Sequence, residues 1–285
     1  MNSDQFLKHL QSHTESFAAA VATNEGDWVI KGFIDVYRRI YTISIDTKII
    51  SKVLELLLFP MFVDFAKRQD LEIHLSPQQN FYPDLTFIEK VTRSKFAVDI
   101  KSTYRVDSTN VNGMTPRAFT GYFRNRNSSK NTLYPYGEYQ GHFVLGVIYS
   151  KSGDTIDERK QYSIDDLDKI PSVIHEFQFF AQPKFRIASA RPGSGNTKNI
   201  GSVTPIDHLI NGAGPFAKLG EEVYDDYWMF YLTKDMAKAL DIERPYINLK
   251  TYLEYKNRGI DTLREHEEEI CRLWDDEQNS GEDSQ

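Results

Sequence analysis

The sequence predicts an α/β fold in which helices and strands alternate within one domain. Apolar residues recur at helical spacing in some segments and at two-residue spacing in others, and the two kinds of segment interleave along the chain. Composition does not break between residues 1 and 258, where there is no internal repeat and no low-complexity linker. A length of 285 residues with 13% aromatic side chains suffices to bury a sizeable core.

Each element has a local cause. Residues 4–22 place Phe6, Leu7, Leu10, Phe17 and Val21 on one stripe after a polar Ser3-Asp4 start, the pattern of an amphipathic helix. Trp28 to Ile45 is rich in Ile, Val, Tyr and Phe and reads as a bent hairpin around Asp35–Arg39. Ile49 to Arg68 is an apolar helix with a break or kink expected at Pro60. Three short strands follow at 71–75, 84–89 and 95–101, then a polar loop over 105–118 and a buried strand from His142 to Ser150. Phe177 to Ala188 reads as a strand pair leading into a glycine-rich loop, and Gly212-Ala213-Gly214-Pro215 as a turn. Glu221 to Leu240, residues 249–258 and much of 261–277 are predicted helical.

Composition limits the function. No stretch reaches the roughly eighteen consecutive apolar residues of a membrane span; the longest, Leu56 to Val63, contains Pro60. The start, Met1-Asn2-Ser3-Asp4, lacks the basic and apolar regions of a secretory signal, and Cys271 is the only cysteine. That count excludes an intramolecular disulfide and a cysteine-cluster zinc site, and a cytoplasmic location is expected. Net charge is −7, but residues 261–285 hold ten acids and two bases, a net of −8, so residues 1–260 carry −7 − (−8) = +1. A near-neutral body with an acidic tail permits DNA binding through a local basic lining.

Two separated stretches carry chemistry. In Phe96-Ala97-Val98-Asp99-Ile100-Lys101, strand alternation puts Phe96, Val98 and Ile100 on a core face and Ala97, Asp99 and Lys101 on the other. Asp84 begins the preceding strand after Pro83, so a hairpin of 84–89 with 95–101 would bring Asp84 and Asp99 together. Oxygen ligands of this kind suit a hard cation such as Mg²⁺, and Lys101 could orient or deprotonate a water or stabilise charge on a phosphate. Glu55 is a third acid, set in the apolar run Val53 to Leu58, where an acid needs a partner. Each has a plainer reading: Asp99–Lys101 as a surface ion pair, and Glu55 as an i,i+3 partner of Lys52.

The second stretch is Gly193-Ser194-Gly195-Asn196-Thr197-Lys198-Asn199-Ile200-Gly201-Ser202. It lacks P-loop spacing, and Lys198 stands where a dinucleotide fingerprint needs its third glycine. What remains is a loop allowing close backbone approach, with Asn196, Thr197 and Asn199 able to read base edges in a major groove, or else a solvated surface turn. Gln78-Gln79-Asn80 lies just before Phe81-Tyr82-Pro83-Asp84, where amides could reach a minor groove or backbone. Arg124, Arg126 and Lys130 are candidate phosphate contacts, or an ordinary solvated loop.

Together these residues resemble the EcoRV-type restriction endonucleases, within the Pro-Asp…Asp/Glu-x-Lys nuclease superfamily. The resemblance runs through Asp46-Thr47-Lys48, Leu54-Glu55-Leu56, Gln78 to Asp84, Val98 to Tyr104, Tyr134-Pro135 and Gly193 to Ser202, in that order. It spans about Asp46 to Trp228; the first 45 residues match poorly and the acidic tail has no counterpart. The resemblance implies a central mixed β-sheet flanked by helices, and a homodimer that cuts double-stranded DNA at a short palindrome with Mg²⁺. It implies Asp84, Asp99 and Glu55 as metal ligands, Lys101 as the catalytic lysine and Gly193 to Asn199 as a major-groove recognition loop. Gln78, Gln79 and Asn80 become a minor-groove loop, with Lys48 and Lys130 among the DNA contacts. It further implies GATATC as target with blunt ends, Lys198 being the departure in the loop, and a companion DNA methyltransferase. Residues 1–258 would form the endonuclease domain, with the N-terminal part and 28–45 contributing to the dimer, and 259–285 an acidic tail. A structure-specific repair nuclease or a non-cleaving DNA-binding module on the same fold are the alternatives.

Overall fold

The computed structural model describes residues 1–78, 81–153, 157, 159–193 and 198–273. In chain order the regular elements are α1 (Ser3–Ser12), α2 (Thr14–Val21), β1 (Gly32–Ile34), β2 (Arg39–Thr42), α3 (Thr47–Arg68), β3 (Leu71–Leu75), β4 (Leu85–Glu89) and β5 (Lys95–Tyr104). There follow β6 (Arg117–Ala118), β7 (Tyr139–Lys151), β8 (Gln161–Ser163), β9 (Ile174–Pro183), α4 (Lys184–Ile187), β10 (Ala188–Pro192) and β11 (Asn199–Ser202). The chain closes with α5 (Ile206–Asn211), α6 (Glu221–Met229), α7 (Lys234–Ala239), α8 (Leu249–Asn257) and α9 (Glu267–Arg272).

A five-stranded sheet in the order β3-β4-β5-β7-β9 forms the centre. Every pairing is antiparallel except β5 with β7, so the sheet is mixed, as the resemblance implied. Alternation along the strands sends side chains to two covered faces. Phe96, Val98 and Ile100 of β5 join Phe143, Leu145 and Val147 of β7 against α1, α2 and α3. Ala97 points to the opposite face, into an aromatic cluster with Tyr82, Phe119, Tyr136, Tyr224 and Trp228.

α3 is a helix because Asp46 caps it, its carboxylate accepting from the Lys48 and Ile49 amides, and because Ile50, Leu54, Leu58, Phe62 and Phe65 fall on one buried stripe. It runs on through Pro60 as one element where a break or kink was expected. The residue whose carbonyl loses its partner to that proline is Leu56, which is exposed.

Other expectations need correction. The helix predicted over 4–22 is two helices, because His13 closes α1 before Thr14 opens α2. Phe177 to Ala188 is the end of one long strand, β9, followed by the single helical turn α4, so the predicted strand pair is absent. The helix over 221–240 is interrupted at Phe230 to Thr233, where Thr233 caps the new helix α7. Within the predicted loop 105–118, Arg117 and Ala118 form β6. From the segment 259–273, Leu263 and Ile270 are buried in the aromatic cluster.

Candidate active site

The β4–β5 hairpin positions the two central acids. Its register sets Leu85 opposite Val98; one step further along, Asp84 faces Asp99. The two are stitched by backbone as well: the Asp84 amide donates to Asp99 Oδ1 at 3.1 Å, and the Ile100 amide donates to Asp84 Oδ2 at 2.8 Å. Lys101 Nζ lies 3.8 Å from Asp84 Oδ2 and 3.7 Å from Asp99 Oδ2. Asp99 and Lys101 share a face as alternation predicted, and the hairpin pairing brings in Asp84 from just before β4.

Asp99 is buried, so the reading of Asp99–Lys101 as a surface ion pair fails. The electrostatics of the two acids diverge. Burial, reinforced by the charge of Asp99, pushes the Asp84 carboxyl up to about 6, against the pull of Lys101. Burial also works to raise Asp99, but Lys184 and Lys101 overcome it and hold Asp99 at about 2. For Lys101, burial is outweighed by Asp99, Asp84 and Glu55, which hold its proton more firmly than usual.

Glu55 occupies an intermediate position. Its carboxylate sits 2.7 Å from Lys52 Nζ, so the plain i,i+3 pair exists. The same side chain lines a cavity of about 520 Å³ with Asp84, Gln78, Phe81 and Ile100, and its charge reaches both Asp84 and Lys101. Lys48, on the first turn of α3, lines an adjoining cavity of about 440 Å³ that also includes Glu55. Among the described residues no group of three or more His, Cys, Asp or Glu closes into a finished metal cage. The donor chemistry nevertheless suits a hard cation. Two facing carboxylates raise the energy of each other's charge, and an all-oxygen set with Glu55 nearby is what such an ion takes.

Sequence reasoning missed Lys184. It opens α4 directly after β9, is 1% exposed, and places Nζ 2.5 Å from Asp99 Oδ2 and 4.4 Å from the centre of the Tyr82 ring. Burial pushes its ammonium down to about 7 although Asp99 favours the charged form. Tyr82 in turn bonds the buried His142 on β7 at 2.7 Å. The signal was present in the sequence: a lysine within the largely apolar stretch Phe177 to Ala188 requires a partner, by the same argument that marked Glu55.

The hairpin that bears the glycine-rich stretch belongs to a separate small sheet of order β10-β11-β6. Asn199 to Ser202 belong to strand β11, so the last four residues of the predicted loop are strand, and Gly193 directly follows β10. The Gly193 amide closes its base on Asn199 O at 2.7 Å, and the Phe119 amide donates to Lys198 O at 2.9 Å. Ser194, Gly195, Asn196 and Thr197, and likewise Gln79 and Asn80, lie outside the described residues. Gln78 faces the cavity beside Asp84. Lys130 lies in the connection between β6 and β7, its amide bonded to Ser128 Oγ at 3.1 Å. Arg124 is buried and spends its guanidinium on the carbonyls of Tyr231 and Ile270, which removes it from the candidate phosphate contacts. Arg126 is paired with Asp225 at 3.0 Å.

A mixed sheet flanked by helices, with paired aspartates and a lysine on one hairpin, defines a site-specific deoxyribonuclease of the Pro-Asp…Asp-x-Lys kind. The EcoRV restriction endonuclease family matches residues 24–257, and the chain belongs to that family. The match is wider than the 46–228 span on which the sequence motifs lie. The type II restriction enzyme EcoRV of Escherichia coli is 31% identical over 230 residues, covering 80% of this chain and 91% of the relative. No described helix is long and apolar enough to cross a membrane.

Proposed function

We propose that the chain is a Mg²⁺-dependent type II restriction endonuclease cutting double-stranded DNA at a short palindrome, GATATC with blunt ends. The observation that carries this reading is the facing pair Asp84 and Asp99 with Lys101 within 4 Å of both. Asp84 and Asp99, with Glu55 beside them, would hold the ion. When bound, Mg²⁺ supplies Lewis acidity toward the scissile phosphate and a more acidic water.

The chain's own residues supply the rest. Lys101 keeps its proton under the influence of three carboxylates, which fits it to hold a phosphate oxygen as charge develops there. The stretch Gly193 to Asn199 is assigned the reading of the major groove, and Gln78, Gln79 and Asn80 a contact in the minor groove, as the resemblance implies. Lys48 and Lys130 contact phosphates, which position the duplex without reading it. The catalytic domain extends past residue 258 to the segment that seats Leu263 and Ile270 in the aromatic cluster.

The dimer reading is supported by the β1–β2 hairpin. Phe33, Ile34, Val36 and Tyr37 are 51, 60, 90 and 76% exposed, and Ile164 and Leu167, just after β8 of the same small sheet, are also exposed. Contiguous apolar surface of this kind marks an interface. A two-fold dimer places one active site on each strand of a palindrome. A companion methyltransferase would protect host DNA from this activity.

The test is digestion of long DNA with purified protein and Mg²⁺, followed by sequencing of the ends. A discrete ladder with blunt GAT/ATC ends is expected. Another defined palindrome would correct the target, random or junction-directed cuts would favour a structure-specific nuclease, and binding without cutting a silent DNA-binding module.

A further inference from the structure

Asp99 has two lysine partners, and they are not equivalent. Lys101 approaches Oδ2 to 3.7 Å and is 30% exposed. Lys184 holds the same oxygen at 2.5 Å and is 1% exposed. Lys184 leaves the end of β9, where Pro183 pairs with Phe143 of β7, and its side chain reaches across β7 to β5. The ammonium also lies over the ring of Tyr82, two residues before Asp84. It therefore touches both limbs of the β4–β5 site from the interior.

Burial this complete keeps Lys184 from touching a duplex, so any part it plays in cleavage passes through Asp99. An ammonium inside a protein is costly unless paired, and one aliphatic residue of similar size would often serve stability as well. The arrangement makes sense as a division of labour. Asp99 needs a counter-charge; if Lys184 supplies it from below, Lys101 is not committed to that role.

We propose that Lys184 is a positioning residue for strand cleavage, neutralising and fixing Asp99 from inside the protein so that Lys101 is left for the scissile phosphate. The proposal rests on the assignment of Asp99 and Lys101 made above. Without Lys184, Lys101 closes onto Asp99 as its sole counter-charge, and the carboxylate gains freedom to turn. Misplacement by about 1 Å costs roughly a hundredfold in rate. At the same time the lost positive charge removes a competitor for any cation approaching Asp99.

The test compares the full chain with Lys184→Met, which keeps the volume, and Lys184→Gln, which keeps a donor to Asp99 and serves if the first variant does not fold. Melting temperature, Mn²⁺ binding without DNA, duplex binding without divalent ions and single-turnover cleavage are measured on each. Cleavage should fall about a hundredfold for Met and less for Gln, while duplex affinity stays within about threefold. Mn²⁺ should bind severalfold more tightly, a change of sign that a mere strut of the fold does not produce. Lys184→Met cleaving within about threefold of the parent overturns the proposal, as does Lys184→Gln doing so where Met does not fold, or Mn²⁺ binding that is unchanged or weaker. Should the parent cut no DNA, the function proposed above fails, and the Mn²⁺ comparison still decides whether Lys184 is the counter-charge of Asp99.

Discussion

The hairpin proposed to cut, β4–β5, and the hairpin proposed to read, β10–β11, are both antiparallel strand pairs, yet they are held in opposite ways. β4 and β5 lie inside a five-stranded sheet with helices over one face and an aromatic cluster over the other. Asp84 and Asp99 are held there by backbone amides and by two lysines. β10 and β11 form a three-stranded sheet whose third member is the two-residue strand β6. Under the proposed function, chemistry that tolerates little displacement falls to the rigid pair, and recognition, which must meet a duplex, to the pair with fewer neighbours.

The largest effect tests the cutting side. Lys101→Ala should lower single-turnover cleavage about a thousandfold while duplex binding without divalent ions persists. Parallel loss of binding would make Lys101 a docking residue and dissolve the division between the two hairpins. Next comes the reading side. A Cβ on Gly201 would stand 3.2 Å from Arg191 O and 3.3 Å from Ser189 Oγ, so Gly201→Val must spread β10 from β11. Preference for the cognate duplex over a one-base variant should fall about tenfold to a hundredfold, with the rate at saturating cognate DNA changed far less. An equal fall in that rate would show that the two hairpins act as one unit.

A smaller effect separates the two acids. Asp84 has its carboxyl raised from 3.8 to about 6, so between those pH values the native state holds more proton than the unfolded chain. The associated stability is complete below about 4 and is lost as pH rises through about 6. Asp84→Asn should flatten this dependence and raise the melting temperature at pH 7 by several degrees, while abolishing cleavage. A melting temperature that falls at pH 7 would show that Asp84 braces the site instead of straining it. The smallest effect concerns charge at the loop. If Lys198 meets a phosphate, Lys198→Thr should reduce the slope of log affinity against log salt by about one; an unchanged slope assigns it to the hairpin alone.

How much of this was legible in the sequence follows from how local each cause is. The β4–β5 pairing and the faces of Phe96 to Lys101 were readable because strand alternation is a nearest-neighbour property. Helix α3 was readable from the apolar stretch between Ile49 and Arg68, whereas its Asp46 cap and its passage through Pro60 emerged only in the fold. The break at His13 and the helical turn at Lys184 were not, because each is set by packing against β9 and its neighbours. Glu55 shows that two readings can hold together, since it pairs with Lys52 and still faces Asp84 across the cavity. Lys184 lies 85 residues from Asp99, and no spacing rule connects them. Only the cost of a buried charge pointed to a partner, without saying which.

The parallel pairing of β5 with β7 obliges the chain to cross from one end of the sheet to the other between Tyr104 and Tyr139. That crossing carries β6, which pairs with β11 through Arg117 and Ile200. With the β10–β11 hairpin as the proposed reader, specificity is therefore not a transplantable cassette. An engineer who exchanged residues 188–202 for the hairpin of a relative would leave Arg117-Ala118 facing a foreign edge. A working graft has to move two segments that are seventy residues apart at their nearest ends, together with the crossing that joins one of them to the cutting strand.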